Sequence, residues 1–381
     1  MGSPPYSPIP WSIPGFELVY ARQVGACAGS GNRWAFYVNF TFLLISMSKI
    51  ESPVTVLPVI SAGIDVGAEE LVLVLRKNGV SMKAQKFANT PSGHQQLVKV
   101  LKGARVCMEA TGVYYVDLAV SLHDAGIALS VINPRAAHNF AKALMRNSKT
   151  DAVDADALAQ FAERMDFVPW TRPSPEALAL RAFARRIEAL TRDRAASKNQ
   201  LHALCACQGT PKAVLRDVKL AIAQLQKRIE RLSAEARALI KQHPPLEQSF
   251  QLLLSIKGVA QTSAIALLGE LGVLPEGLTH KQWVKYAGLD PRVFQSGKSV
   301  EKKPRLSKAG NRHVRQALYM PALSAKQHDP YVRAYFEHLL ARGKKPLQAL
   351  CAVMRKLLHA IHGMLKHQQP FDNTRFYAMQ K

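Results

Sequence analysis

The sequence predicts a mixed α/β sheet followed by an all-α region, and three observations carry that prediction. Short runs rich in Val, Ile and Leu alternate with helical patterns between residues 59 and 164. After the proline-bounded stretch 169–173, helical periodicity takes over for long spans. Asp65 and Glu109 lie within or at the end of two of the apolar runs, where a lone carboxylate is costly to bury.

Taken in order, residues 59–66, 71–76 and 80–88 read as strands, with Gly63 and Gly67 bounding the Asp65 segment. Asn78-Gly79 between the second and third is a hairpin signal. Pro91-Ser92 opens a helix through Lys102, and 105–109 is a further strand. Residues 115–125 read as a helix closed by Gly126, followed by strand 127–132 and a helix from Pro134. Hairpin strands followed by alternating helices and strands match a ribonuclease H-like arrangement. Asp151 and Asp154 stand at the start of the helix 154–164. Positions i and i+3 share a helix face, so both carboxylates can point at one centre, although acids at a helix start also complement its dipole. Asp156 falls off that face.

Residues 178–206 and 214–242 then read as two long amphipathic helices broken at Gly209-Thr-Pro211. Leu225, Ile229, Leu232 and Ala236 form a stripe interleaved with Lys227, Arg228 and Arg231. Antiparallel pairing within the chain, or a coiled coil between chains, would bury it. The segment from Leu252 through Gly258-Val259 resembles a helix-hairpin-helix, whose backbone amides can hold a phosphate. Gln295-Ser-Gly-Lys-Ser follows, then a basic stretch with Lys302, Lys303, Arg305, Lys308, Arg312 and Arg315. Ser296, beside Gly297 among cations, has the setting of a nucleophile on phosphorus; an ordinary loop serine is the plain alternative, and Ser299 competes.

With 381 residues the chain has room for two or three domains. Its 51 Lys+Arg against 27 Asp+Glu give a net charge of +24, which makes a polyanion the natural partner. A simple phosphate-binding protein has no use for acids set in apolar strands. Carboxylates gathered around divalent cations are how proteins hold Mg²⁺ against a phosphodiester. Cys27, Cys107, Cys205, Cys207 and Cys351 show no zinc spacing and read as reduced, buried thiols. Residues 1–46 are Pro-rich and then apolar, in a run too short to span a bilayer, which takes ~20 residues. Met47 is the expected start, with 1–46 as translated upstream sequence.

Gly63-Ile-Asp65-Val, Met108-Glu109-Ala-Thr-Gly, Lys149-Thr-Asp151-Ala-Val-Asp154-Ala and Tyr286-Ala-Gly-Leu with Gln295-Ser296-Gly297 together resemble the insertion-sequence-110 family of DEDD transposases. The resemblance runs from about residue 59 to 365 in the family's motif order. It implies a RuvC-like catalytic domain at 59–168, a coiled-coil linker at 174–245 and a transposase domain at 250–368; residues 1–58 read as a disordered or mis-annotated extension, of which 1–46 have no counterpart in the family. It implies that Asp65, Glu109, Asp151 and Asp154 bind Mg²⁺, for which Mn²⁺ would also fit, and that Ser296 forms a covalent link to DNA. Recombination of donor and target DNA under guidance of a structured bridge RNA is implied as well. The acting form would be a homo-oligomer, a dimer or a tetramer on DNA, in the prokaryotic cytoplasm on the nucleoid, with no membrane. Nucleic-acid contacts are expected from Lys149, Lys257, Lys298, Lys302, Lys303, Arg305, Lys308, Arg312 and Arg315. A RuvC-type nuclease hydrolysing DNA junctions, and a non-catalytic basic nucleic-acid-binding protein, are the competing readings.

Overall fold

The computed structural model describes residues 60–110, 112–145, 150–296 and 300–378; for 296 and 300–303 the description is of the backbone. The extension 1–58, Cys27, Lys149, Lys298 and Ser299 lie outside the described residues. The first half is built on a sheet of β1 (Ile60–Val66), β2 (Glu70–Lys77), β3 (Val80–Ser81), β4 (Gln85–Ala88), β5 (Ala104–Glu109) and β6 (Ala128–Ile132). Its order is β3-β2-β1-β5-β6, with β4 also paired to β2. β2 runs antiparallel to β1, whereas β5 and β6 add in parallel. The Asn78-Gly79 turn takes positive φ at both residues, 51° and 80°, as a tight hairpin turn demands.

The strand expected over 80–88 is interrupted. Arg76 pairs Ser81 and Leu73 pairs Gln85, so the outer strand carries one residue more than β2 across this interval. That surplus is a β-bulge, and the Met82 amide crosses it to donate to the Leu75 carbonyl at 2.8 Å.

Helices α1 (Pro91–Val100) and α2 (Tyr115–Asp124) cover one face of the sheet. Ala62, Ile64, Leu73, Val106 and Met108 meet Leu97, Leu118 and Leu122 there in one apolar core. After α3 (Pro134–Ala143), helix α4 (Asp151–Arg164) covers the opposite face, where Val72, Val74 and Cys107 pack against its Ala155, Leu158 and Ala162. α4 starts a turn earlier than expected, because the Thr150 hydroxyl caps it by accepting from the Val153 amide at 3.3 Å. Gly63 does not bound its strand; it lies mid-strand, directly beneath α4. A Cβ there would stand 1.9 Å from the Ala155 carbonyl oxygen and 2.3 Å from the Ala159 nitrogen. Towards the other end of the helix, the nearly buried Arg76 of β2 donates to Glu163 at 2.8 Å and contacts Asp156 at 3.4 Å.

The second half is helical. It comprises α5 (Pro175–Cys205), α6 (Lys212–Gln242), α7 (Pro244–Leu254), α8 (Gln261–Leu271), α9 (His280–Ala287), α10 (Arg312–His328), α11 (Pro330–Ala341) and α12 (Pro346–His367). Between α9 and α10, β7 (Pro291–Ser296) and β8 (Val300–Leu306) form a two-stranded ribbon. The expected stripe on α6 is covered within the chain: Ile229 and Ala236 are buried, Leu225 and Leu232 partly so, in a core that includes Leu180, Ile187 and Leu190 of α5. The same core holds Phe250, Ile265, Leu318 and Leu357, so the near part of the α5–α6 hairpin is continuous with the C-terminal helices. The cysteines divide: Cys107 is buried and its thiol pushed up to about 12 by burial, whereas Cys205 and Cys207 are exposed, against expectation. Among the described residues no helix is long and apolar enough to cross a membrane.

With so little room above position 63, Gly63→Ala should force α4 off the sheet and cost at least the ~1–3 kcal/mol typical of overpacking. Thermal melts of the two proteins check it; equal midpoints would show that α4 does not rest on this backbone.

Candidate active site

Strand geometry places the first two acids. Side chains alternate along a strand, so Ser61, Gly63 and Asp65 share the α4 face while Ala62, Ile64 and Val66 enter the opposite core. On β5, Cys107 packs against α4, which puts Glu109 on that same face. Ile64 pairs with Met108 in the parallel register, so Asp65 and Glu109 are next in step at the carboxyl ends of adjacent strands. Asp151 and Asp154 arrive from the first turn of α4, held over β1 by the approach at Gly63.

Electrostatics links the four. The Asp65 carboxyl is pushed up to about 6, first by burial and then by the charges of Asp151, Asp154 and Glu109, against a hydrogen bond from the Val66 backbone. Like charge is thus concentrated at one end of the sheet. Among the described residues no three His, Cys, Asp or Glu side chains are drawn together as a ready metal-holding group. An all-oxygen donor set of like charge suits a hard divalent cation. The residues therefore fit a Mg²⁺ or Mn²⁺ site in chemistry and charge.

The sheet register adds a residue that sequence reading missed. Asp65 pairs with Val72, and Val72 with Lys86, which brings a lysine onto the same cross-strand row. Lys86 donates to Glu70 at 2.7 Å and is pushed up by that bond, by the Glu70 charge and more weakly by Asp151. Asp156, by contrast, accepts from the Ser81 hydroxyl at 2.5 Å and from Gln160 at 3.0 Å. These bonds tie it to the hairpin, away from the acids around Asp65.

The basic candidates separate. Lys257, Arg305, Lys308 and Arg312 are exposed, and the side chains of Lys302 and Lys303 lie outside the described residues. Arg315 must be corrected: its guanidinium turns inward, donating to the Ala287 carbonyl at 2.8 Å and the Gly310 carbonyl at 3.1 Å. The helix-hairpin-helix turn is also more enclosed than expected. Ile256 and Val259 are buried, and a Cβ on Gly258, whose φ is +98°, would stand 2.8 Å from the Pro321 carbonyl oxygen. Between α7 and α8, Ser255, Lys257 and Ala260 are exposed. Ser296 ends β7 with its backbone paired to Val300, at the tip of the ribbon.

The root of the ribbon rests on a buried polar network. Glu270, about 1% exposed, accepts from Arg185 Nε at 2.6 Å and Nη2 at 3.1 Å, and from Asn311 Nδ2 at 2.6 Å. Asn311 also reaches the Tyr286 hydroxyl at 2.7 Å, and His313 Nδ1 meets Glu188 at 2.6 Å. Burial alone would push the Glu270 carboxyl up, yet the bonds from Arg185 and Asn311 hold it below the usual range.

A transposase model of the DEDD type, named for IS110, matches residues 62–206, and a model of the IS116/IS110/IS902 transposase family matches residues 250–337. The chain belongs to the IS110 family of transposases. In this transposase Asp65, Glu109, Asp151 and Asp154 fall in the first matched stretch and Ser296 in the second. The pilin gene-inverting protein of Moraxella bovis is 28% identical over 298 residues, covering 75% of this chain and 89% of the relative. That of Moraxella lacunata is 29% identical, covering 70% and 81%. The insertion element IS110 43.6 kDa protein of Streptomyces coelicolor is 30% identical over 160 residues, 42% of this chain and 38% of the relative. Thermus thermophilus RuvC with a Holliday junction substrate is 15% identical, covering 29% of this chain and 98% of that one, with a TM-score of 0.24.

The crowded and the compensated carboxylates should respond to pH in opposite directions. The folded pKa of Asp65 lies above its ordinary value, so its ionisation disfavours the fold and stability falls as pH rises from 3.8 through about 6. In EDTA at pH 7.5, Asp65→Asn should stabilise the transposase by on the order of 1 kcal/mol after discounting for solvent screening, with the gain vanishing near pH ~4. A melting series across pH reads this, and a variant that melts like wild type at every pH would refute the crowding. Glu270 is depressed, so its contribution is present above the ordinary carboxylate range and lost as pH falls. Glu270→Ala strands Arg185 and should cost ~3–5 kcal/mol by denaturant titration at pH 7. A loss within about 0.5 kcal/mol, ordinary for a surface site, would contradict the network.

Proposed function

We propose that this transposase cuts donor and target DNA and rejoins the strands through a covalent Ser296–DNA intermediate, using Asp65, Glu109, Asp151 and Asp154 to hold Mg²⁺. The observation that carries this reading is the like charge of Asp151, Asp154 and Glu109 acting on the partly buried Asp65 carboxyl, in a chain of net charge +24. Such repulsion is unfavourable for the fold and finds its use against a metal-bound phosphodiester. The Ser296 hydroxyl releases its proton to solvent as its oxygen bonds to phosphorus, and the bond to the departing sugar oxygen breaks, that oxygen taking up a proton from solvent to leave as a hydroxyl. A sugar hydroxyl of the new partner strand later attacks the same phosphorus and frees the serine. Bound Mg²⁺ would supply neutralisation of charge on the phosphate oxygens. Lys86, in the row of Asp65, is placed to draw a phosphate toward the acids.

The gene-inverting relatives support strand exchange over hydrolysis, since inversion requires rejoining as well as cutting. We read 59–168 as the RuvC-like domain, 174–245 as a linker able to engage a second chain, and 250–368 as the serine-bearing domain. On the resemblance to the family, the acting form is a dimer or tetramer in which one subunit's acids serve another's serine. A structured bridge RNA supplies target choice by base pairing, on the resemblance to the family, and the protein reads backbone shape through its cations. The site of action is the cytoplasmic nucleoid.

A denaturing gel tests the chemistry, with Mg²⁺, RNA from the element's flanking non-coding region and labelled donor and target DNA. Wild type should give a protein-linked DNA band, and Ser296→Ala and Asp151→Asn should each remove it. Cleavage without a linked band, unchanged in Ser296→Ala, would instead establish a hydrolytic nuclease.

A further inference from the structure

The ribbon carries an exposed aromatic that has no part in the chemistry of the serine and the acids. Phe294 on β7 is 44% exposed, and the Arg292 guanidinium lies 4.2 Å from its ring centroid. A cation over one face polarises the ring, and the exposure of Phe294 leaves part of the ring to solvent. Beyond the irregularity between Arg292 and Phe294, pairing is regular: Phe294 with Lys302, Gln295 with Glu301, Ser296 with Val300. Phe294 and Ser296 therefore occupy positions of the same parity, two residues apart, with the backbone of position 302 paired to that of 294.

At the ribbon's root, a groove with a volume of about 830 Å³ opens between β7–β8 and the α11–α12 corner. Leu347, 62% exposed, contributes to its apolar wall, and Arg305, Lys308, Lys344, Lys345 and Arg355 line it with positive charge. Among the described residues lining it, none is acidic. A second copy of a chain with net charge +24 is a poor occupant for such a groove, and a polyanion is a good one.

We propose that Phe294 and this groove together bind an unpaired stretch of DNA, one base stacked on the ring and the adjoining phosphates laid along the cations. This site rests on the serine reading in that the bound strand is taken to be the one Ser296 attacks. Stacking on an aromatic ring needs a base face that duplex neighbours otherwise cover, so the site should select unpaired over continuous duplex DNA. Phosphates follow the cation row without regard to sequence, so the selection is for strand state alone. The bound base would fix the strand's position along the ribbon relative to the serine two residues on.

The test uses the full chain in EDTA, where no strand is cut. The probe is a duplex with a short single-stranded gap containing 2-aminopurine, compared with the continuous duplex and with the same gap in RNA. Wild type should bind the gapped DNA more tightly and quench the fluorescent base. Phe294→Ala should lose roughly tenfold in affinity for the gap, together with the quench, while Phe294→Trp retains both. Lys344→Glu with Lys345→Glu should flatten the dependence of log affinity on log salt by about 1.4, the value for two single-strand phosphate contacts. Melting curves establish that each variant is folded. A Phe294→Ala protein that keeps its gap preference and quench would overturn the proposal, as would wild type without a preference, or one that prefers the RNA gap. None of these outcomes touches the covalent-trapping result, which is read separately and with metal.

Discussion

The candidate active site depends on one steric allowance: the backbone of α4 can lie directly on β1 because position 63 has no side chain. Small residues on the helix, Ala155 and Ala159, complete the approach from the other side. With the axis set so close, the first turn of α4 is delivered over the end of β1, where Asp65 stands. The far end is fixed by a different force, the paired and nearly buried Arg76, which draws Glu163 and Asp156 onto β2. One helix thus carries acids in two settings. Those facing Arg76 are neutralised by an internal arginine, and those at the helix start add to the charge around Asp65.

The helical half is stabilised on a contrasting principle. Its central carboxylate, Glu270, is surrounded by donors rather than by other acids. These bonds join α5, α8, α9 and the start of α10 at the point where the ribbon leaves and re-enters the helices. Gly310 is packed so tightly there that a Cβ would stand 2.2 Å from the Tyr286 carbonyl oxygen. The Tyr286-Ala-Gly-Leu element, part of a motif in the sequence, thereby acquires a mechanical explanation: it is the seat of the β7–β8 ribbon.

Local patterns are legible in the chain, and distant pairings are not. Asn78-Gly79 announces its turn because only a few residue types accept positive φ, and short runs rich in Val, Ile and Leu announce the strands. The i, i+3 spacing of Asp151 and Asp154 places both at a helix start, although the cap at Thr150 moves that start to Asp151. Gly63 reads as a boundary when it is not one, since a glycine in a strand looks the same whether the chain turns or another backbone approaches. Arg315 looks like one more cation in a basic run, while its inward bonds go to carbonyls that no periodicity links to it. Arg185 and Glu270 are separated by 85 positions, so their pairing leaves no trace in any local window.

The α5–α6 hairpin fixes a length. Each of its helices has 31 residues, and at about 1.5 Å per residue each extends ~46 Å. The half near the C-terminal helices is anchored in their core, so roughly 20 Å of paired helix continues past Leu190 before the turn at Cys207. That remainder is a stiff spacer. A partner gripping the tip would be kept at a separation determined by the number of helical turns between it and the body that holds Ser296.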